Sequence, residues 1–315
     1  MMKGGKSQAR GSRLQRCAEG TQSFRTSERS APQGANNTMA SIDAFDYKEP
    51  ACPLCSGKDF YYPDPEAPDG HIPVANITEK LDSLLAREDY DGAKRLLKYW
   101  IDEAAALKDK RGELSVQSEI MGLARKTNDR GWGMAAVERG LELIDTLGLG
   151  QLVSAATILL NAATTCKAFG DPERALTLYA RAEAVYEKEL PENDLQLAGL
   201  YNNKATALAE LERFDEAEAL YERAYAILEH NGHTEPDRAV TKINLADLYA
   251  AAARDEAQVE ALLFEALALL DDEHTVRDGY YAFVCRKAAQ AFGYYGFFKV
   301  RKDLDERADR IYAGA

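Results

Sequence analysis

The sequence predicts an all-α fold, a solenoid of about six antiparallel helix hairpins, and three observations carry that expectation. From Ile77 onward strand signals are almost absent, and apolar residues recur at three- and four-residue spacing in blocks of 15–20 residues, the period of amphipathic helices. Small residues return with one long period in three separate registers. The breaks between blocks carry helix stop and start signals at matching places.

The first register lies in the second helix of each block and runs Ala93, Gly133, Ala175, Ala217, Val259, in steps of 40, 42, 42 and 42 residues. Seven residues later a second register runs Trp100, Gly140, Ala182, Ala224, Ala266, with Ala308 one further step on. A third occupies the first helices: Leu81, Met121, Ala163, Ala205, Ala246, Ala288. Antiparallel helices approach closely only where a small side chain faces the neighbour. Aromatics such as Tyr179 and Tyr221 then fill the adjacent holes. A single hairpin leaves an apolar face uncovered, so neighbours must stack.

The turns agree. Gly170-Asp171-Pro172-Glu173 places Gly to end one helix, Asp to cap the next and Pro at its first position. Asp89-Tyr90-Asp91-Gly92-Ala93 and Arg213-Phe214-Asp215-Glu216-Ala217 occupy the same place in their blocks, and Thr234-Glu235-Pro236-Asp237 reads as a similar start.

Phe214-Asp215-Glu216-Ala217-Glu218-Ala219-Leu220-Tyr221-Glu222-Arg223-Ala224 closely resembles the second-helix pattern of the tetratricopeptide repeat family. The 42-residue step is similar to the kinesin light chain type of repeat. The resemblance covers about three quarters of the chain, strongly over about 156–280 and more weakly over 76–155. Expected units are 76–113, 114–155, 156–197, 198–238, 239–280 and a capping unit, 281–315, whose Arg301 and Asp305 stand where small and apolar residues belong. The resemblance implies a right-handed superhelix whose first helices line a concave groove that holds an extended peptide.

A helical wheel over Leu159–Lys167 turns Ala162, Ala163 and Cys166 to the partner helix, and Leu160, Asn161, Thr164 and Lys167 to the groove. The same offsets give Asn202, Asn203, Thr206 and Ala209, then Ile243, Asn244, Asp247 and Ala250. Asn161, Asn203 and Asn244 thus form a column. An amide offers both donors and an acceptor, and in kinesin light chain-like repeats Asn at this place holds the backbone of a bound peptide. The alternative is that these residues solvate a helix face, although Asn in mid-helix costs about 0.5–0.7 kcal/mol against Ala. Lys204 departs from the family, which buries an apolar residue there. Arg125, Lys126, Lys167, Arg286 and Lys287 also lie in first helices. They either select an acidic or C-terminal-carboxylate peptide or snorkel from a solvated face.

Residues 1–38 are rich in Ser, Arg, Gly and Gln and carry a net charge of +5. Their composition predicts disorder, and Met39 is an expected alternative translation start. Within 39–75, Cys52-Pro53-Leu54-Cys55 resembles one knuckle of a zinc ribbon, with His71 as a candidate third ligand. A structural zinc site needs four, so the other reading is two free thiols before a linker marked by Pro63, Pro65, Pro68 and Pro73.

Net charge is −13 overall, which disfavours nucleic acid as a partner because phosphate binding rests on Lys and Arg. No apolar run approaches the ~20 residues of a membrane helix. Five scattered cysteines are not a disulfide framework, so a reducing, cytoplasmic setting is expected. Four histidines fall in loops or helix ends, and there is no phosphate loop, nucleophile elbow or His-Glu-x-x-His motif. The expected function is a non-enzymatic adaptor that binds a protein or peptide. A zinc-knuckle regulator using the repeats as sensor or dimerisation module is the rival, and homodimerisation through the aromatic last unit stays open.

Overall fold

The computed structural model describes residues 67–314. Among the described residues there are twelve helices and no strand. In chain order they are α1 (Val74–Leu85), α2 (Tyr90–Ala106), α3 (Lys110–Thr127), α4 (Arg130–Thr146), α5 (Val153–Ala168), α6 (Pro172–Glu189), α7 (Leu195–Glu210), α8 (Phe214–His230), α9 (Glu235–Ala251), α10 (Glu256–Asp271), α11 (Gly279–Tyr294) and α12 (Phe298–Gly314). They pair as six hairpins, each odd-numbered helix with the even-numbered helix after it, and each hairpin packs on the next.

The small-residue registers are the packing seams. Ala93, Ala175, Ala217, Ala182, Ala224, Ala266, Ala308, Ala163, Ala205, Ala246 and Ala288 are fully buried, while Trp100 is half-buried. Gly133 shows why bulk is excluded. A methyl group there would lie 2.8 Å from the Phe169 ring and 2.9 Å from the Ala124 methyl. The tyrosines filling the holes are buried and their hydroxyls are used: Tyr179 bonds Thr164 at 3.0 Å, and Tyr186 bonds Thr157 at 2.7 Å.

All six hairpin turns share one backbone solution. Glu88, Asn128, Gly170, Glu212, Ala253 and Gly296 each adopt positive φ. The next residue donates its N–H to the carbonyl five positions back, as in Asp171 to Cys166 and Arg213 to Leu208. This is the left-handed ending that satisfies the orphan carbonyls of a helix C-terminus. Gly170 fills the position without a Cβ penalty, whereas Glu212 and Ala253 adopt the strained conformation with ordinary side chains. The following helices start as expected at Asp89 and Asp171, whose side chains accept from the N–H groups of Gly92 and Arg174. Thr234 differs from expectation. It makes no side-chain bond to the start of α9, and its hydroxyl instead donates to the Leu228 carbonyl at 2.6 Å, closing the end of α8.

A second periodicity joins the hairpins. Arg174 binds Glu138, Arg181 binds Asp145, Arg223 binds Glu187, Arg254 binds Glu218 and Arg307 binds Asp271, each pair 36 residues apart. Each strut runs from one second helix to the next hairpin. The register holds Arg139, Arg181 and Arg223, then Glu265, then Arg307. At the odd step Lys242 pairs with Glu265, and Arg238 with Glu229.

The apolar core divides at the same step. One cluster runs from Ile72 to Leu228 in α8, and another from Ala239 in α9 to Ala308. A small group, Ala205, Leu208, Ala217, Tyr221, Leu245 and Leu248, bridges them. Ile72, expected in a linker, belongs to the first cluster, and its N–H donates to the buried Asp109 carboxylate at 2.9 Å.

Candidate functional site

The residues expected to line a groove are on α3, α5, α7, α9 and α11, and their surroundings differ along the array. On α5 every residue from Ser154 to Lys167 is buried. Asn161 is 5% exposed, and its amide donates to the Ser118 hydroxyl of α3 at 3.0 Å. Thr164 does not face a groove. Its hydroxyl donates to the Leu160 carbonyl and meets the Tyr179 hydroxyl of the partner helix α6. Thr206 repeats the arrangement in α7, donating to the Asn202 carbonyl and accepting from Tyr221 of α8 at 3.3 Å. The wheel treated the hairpin partner as the only neighbour. In the array the first helices also pack on one another, so positions turned away from the partner are covered by the adjacent repeat.

Asn202 and Asn203 are also buried. The Asn202 amide donates to the Ala198 carbonyl of its own helix at 3.2 Å. The carboxamide oxygens of Asn161 and Asn202 meet no hydrogen-bond donor among the described residues. Lys204 is half-buried and pairs with Glu183 of α6 at 2.5 Å, which explains how a cation stands where an apolar residue is usual.

The cations of α3 and α5 sit in the last turns of their helices, where positive charge complements the helix dipole. Arg125 donates to the Thr165 hydroxyl at 2.8 Å and to the Asn161 carbonyl at 3.3 Å, tying α3 to α5. Lys126 is half-buried and Lys167 is buried. Arg286 pairs with Asp305 at 3.0 Å and also with Asp309.

The surroundings open on α9. Asn244 is half-buried, and its carboxamide oxygen accepts from Lys287 of α11 at 2.8 Å. Asp247, one turn on, is exposed and accepts from the Tyr295 hydroxyl at 3.3 Å. Crowding by protein raises the Asp247 carboxyl above the usual carboxylate range, although Lys287 and Tyr295 pull the other way. Because solvent still reaches this carboxylate, the effect on stability is small. Of the predicted column, Asn161 and Asn244 each make a bond that joins successive first helices, and the open polar surface lies around Asn244, Asp247 and Lys287. Asp247 was among the predicted residues; Tyr295 was not, and its position just past the end of α11 gave no periodic signal.

Cys52 and Cys55 lie outside the described residues. His71 is mostly exposed with Nδ1 3.4 Å from Asp109 Oδ1, and no cluster of three or more His, Cys, Asp or Glu able to hold a metal occurs among the described residues. Burial pushes the Cys166 and Cys285 thiols up to about 11, far from the thiolate character that reactivity needs. No described helix is long and apolar enough to cross a membrane.

The family model for the tetratricopeptide repeat matches residues 196–272, which span α7 to α10. No curated protein matches the sequence. Among solved structures, BtubC (BKLC) from P. vanneervenii is 25% identical, aligns over 62% of this chain and 79% of its own, and superposes with a TM-score of 0.56. The nearly identical TPR-like repeats ascribed to a Podosopora anserina kinesin light chain are 19% identical over 64% of this chain and 95% of theirs, with a TM-score of 0.47. Proteins built of such repeats generally act by binding other proteins and are generally not enzymes.

Proposed function

Residues 196–272 match the tetratricopeptide repeat, and we propose that the chain is a protein of that kind, a non-catalytic, cytoplasmic adaptor that holds an extended segment of a partner protein across its first helices. The observation that carries the reading is the open polar surface on α9 and α11, where Asn244, Asp247 and Lys287 present an amide, a carboxylate and an ammonium group together. An extended chain exposes alternating N–H and C=O groups. An amide can answer both, and the carboxylate accepts from backbone N–H or from a basic side chain. The buried Asn161 amide ties α5 to α3 through Ser118, and the buried Asn202 amide bonds the Ala198 carbonyl of its own helix.

The test is affinity capture with the full chain and with Asn244→Ala/Asp247→Ala, two changes that leave the apolar core intact. The expected outcome is loss of at least one specifically captured partner by the folded double variant. An unchanged captured set overturns the reading.

A further inference from the structure

The outer face of α12 carries an arrangement that the groove reading does not use. Val300, Leu304, Ala308, Ile311 and Tyr312 pack into the core on α11. A flanking stripe, on the side of α12 where Arg301 lies against Gly293 and Asp305 meets Arg286 of α11, is made of Phe298, Arg301, Lys302, Asp305, Glu306 and Asp309, which together line a shallow depression. Phe298 is 67% exposed, the largest exposure of any large apolar side chain described, and Tyr294, which precedes it across the turn, is 57% exposed. An aromatic ring carries a large apolar area that an interface can bury.

The charges along this stripe are ordered. Arg301 and Lys302 form a positive turn, and Asp305, Glu306 and Asp309 form a negative stretch one turn on. Such a stripe is its own complement when two copies lie antiparallel. Residue numbers then pair to a constant sum, so Arg301 meets Glu306, Lys302 meets Asp305, and Phe298 meets the Asp309 turn, each contact made twice about the two-fold axis. The internal partners of these groups leave room for the exchange. Arg301–Asp305 and Lys302–Glu306 are i,i+4 pairs at 3.7 Å on the helix surface, where ion pairs contribute little. Asp305 and Asp309 also hold Arg286, which brings the stripe close to neutrality on an acidic protein.

We infer that α12 is a self-association surface, and that its occupant is a second copy of this chain packed antiparallel across a two-fold axis. One helix from each copy makes a small interface, under about 1,200 Å², the size of transient complexes. Dimerisation is therefore reversible and concentration-dependent, anchored by Phe298 and set in direction by the charges. The inference stands apart from the groove reading, since it concerns a different face.

Sedimentation equilibrium of the full chain from about 5 to 500 µM tests it, a range chosen for interfaces of this size. The expected result is a monomer–dimer equilibrium that Phe298→Ala weakens at least tenfold. Arg301→Glu/Lys302→Glu and Asp305→Lys/Glu306→Lys are each expected to be monomeric, and to form a heterodimer when mixed. Far-UV circular dichroism of each variant checks the fold, and the mixing arm distinguishes pairing from any local effect on α12. A wild-type chain that stays monomeric throughout overturns the inference and leaves the stripe to a foreign partner or to none. So does a mixture no more associated than its two components.

Discussion

The hairpins from α3 to α8 and those from α9 to α12 are built from one repeat but are held together differently. In the first block α3 and α5 are buried over most of their surface, a continuous apolar cluster runs through to Leu228, and Arg181–Asp145 and Arg223–Glu187 brace the second helices. The second block has its own cluster, weighted toward aromatics: Tyr281 and Phe292 within it, and Phe264 and Phe297 in edge-to-face contact with Phe292. Its first helix shows polar groups to solvent at Asp247. At the joint the strut register carries Glu265 in place of Arg. There the link consists of a small apolar group and polar contacts, among them the Glu218 carboxylate gripped by Arg254 at 2.5 and 3.0 Å and by the Tyr249 hydroxyl. A stack of repeats owes its stability to nearest-neighbour interfaces. The first block therefore buries most of the surface of its first helices, while the second leaves polar groups of α9 at the surface.

Core truncation is expected to have the largest effect on either block. Tyr179→Ala in the first block and Phe292→Ala in the second each remove a fully buried aromatic and are expected to cost about 3–5 kcal/mol. Urea unfolding followed by hydrogen exchange should show each change lowering protection mainly in its own block. Equal loss of protection in both would mean that the array unfolds as one unit and that the divided core has no thermodynamic meaning.

A smaller effect is expected at the joint. Burial works against the Glu218 charge, but the hydrogen bonds from Tyr249 and Arg254 outweigh it and hold the carboxyl below the ordinary value of 4.5. A depressed folded value means that this stability is present above the unfolded value and is lost as pH falls through the folded one. Glu218→Gln should cost about 1–2 kcal/mol at neutral pH, and the difference from wild type should shrink below pH 4.5. Thermal melts at pH 7 and at about pH 3 measure it; a pH-independent difference would assign the loss to packing instead.

The smallest effect lies in the turns. Left-handed backbone costs an ordinary residue about 1–2 kcal/mol, and glycine returns part of that gain as unfolded-state entropy. Ala253→Gly is thus expected to raise stability by about 0.5–1 kcal/mol, with a higher urea midpoint and an unchanged slope. A lower midpoint would show that the methyl group is packed and not merely strained.

Much of this fold was legible because its period is a property of packing. Ala175, Ala182 and Ala163 had to be small for helices to touch, and a small residue is visible in a sequence. The shared turn was read at Gly170, and Gly296 and Asn128 carry the same kind of signal; Glu212 and Ala253 adopt the conformation with no residue-type signal. The site was harder to read because a wheel describes one helix and one partner. It could not see that Ser118 on the preceding repeat would take up Asn161, and it turned Thr164 away from α6, whereas the Thr164 hydroxyl meets Tyr179 of that partner helix. It also gave no notice of the struts, since an Arg and an acid 36 residues apart look unrelated until the repeats are stacked.

The left-handed turns have a consequence for how such a chain can diverge. They recur after 40, 42, 42, 41 and 43 residues, in hairpins that the family model matches and in others that it does not. The marker of each repeat is thus a backbone conformation, which leaves no fixed residue behind it. A lineage can exchange nearly every side chain and absorb a residue gained or lost between hairpins, and the helices will still reverse direction at the same tick. Common ancestry in arrays of this kind will outlast its trace in sequence, and the oldest relatives should be sought by the rhythm of their turns.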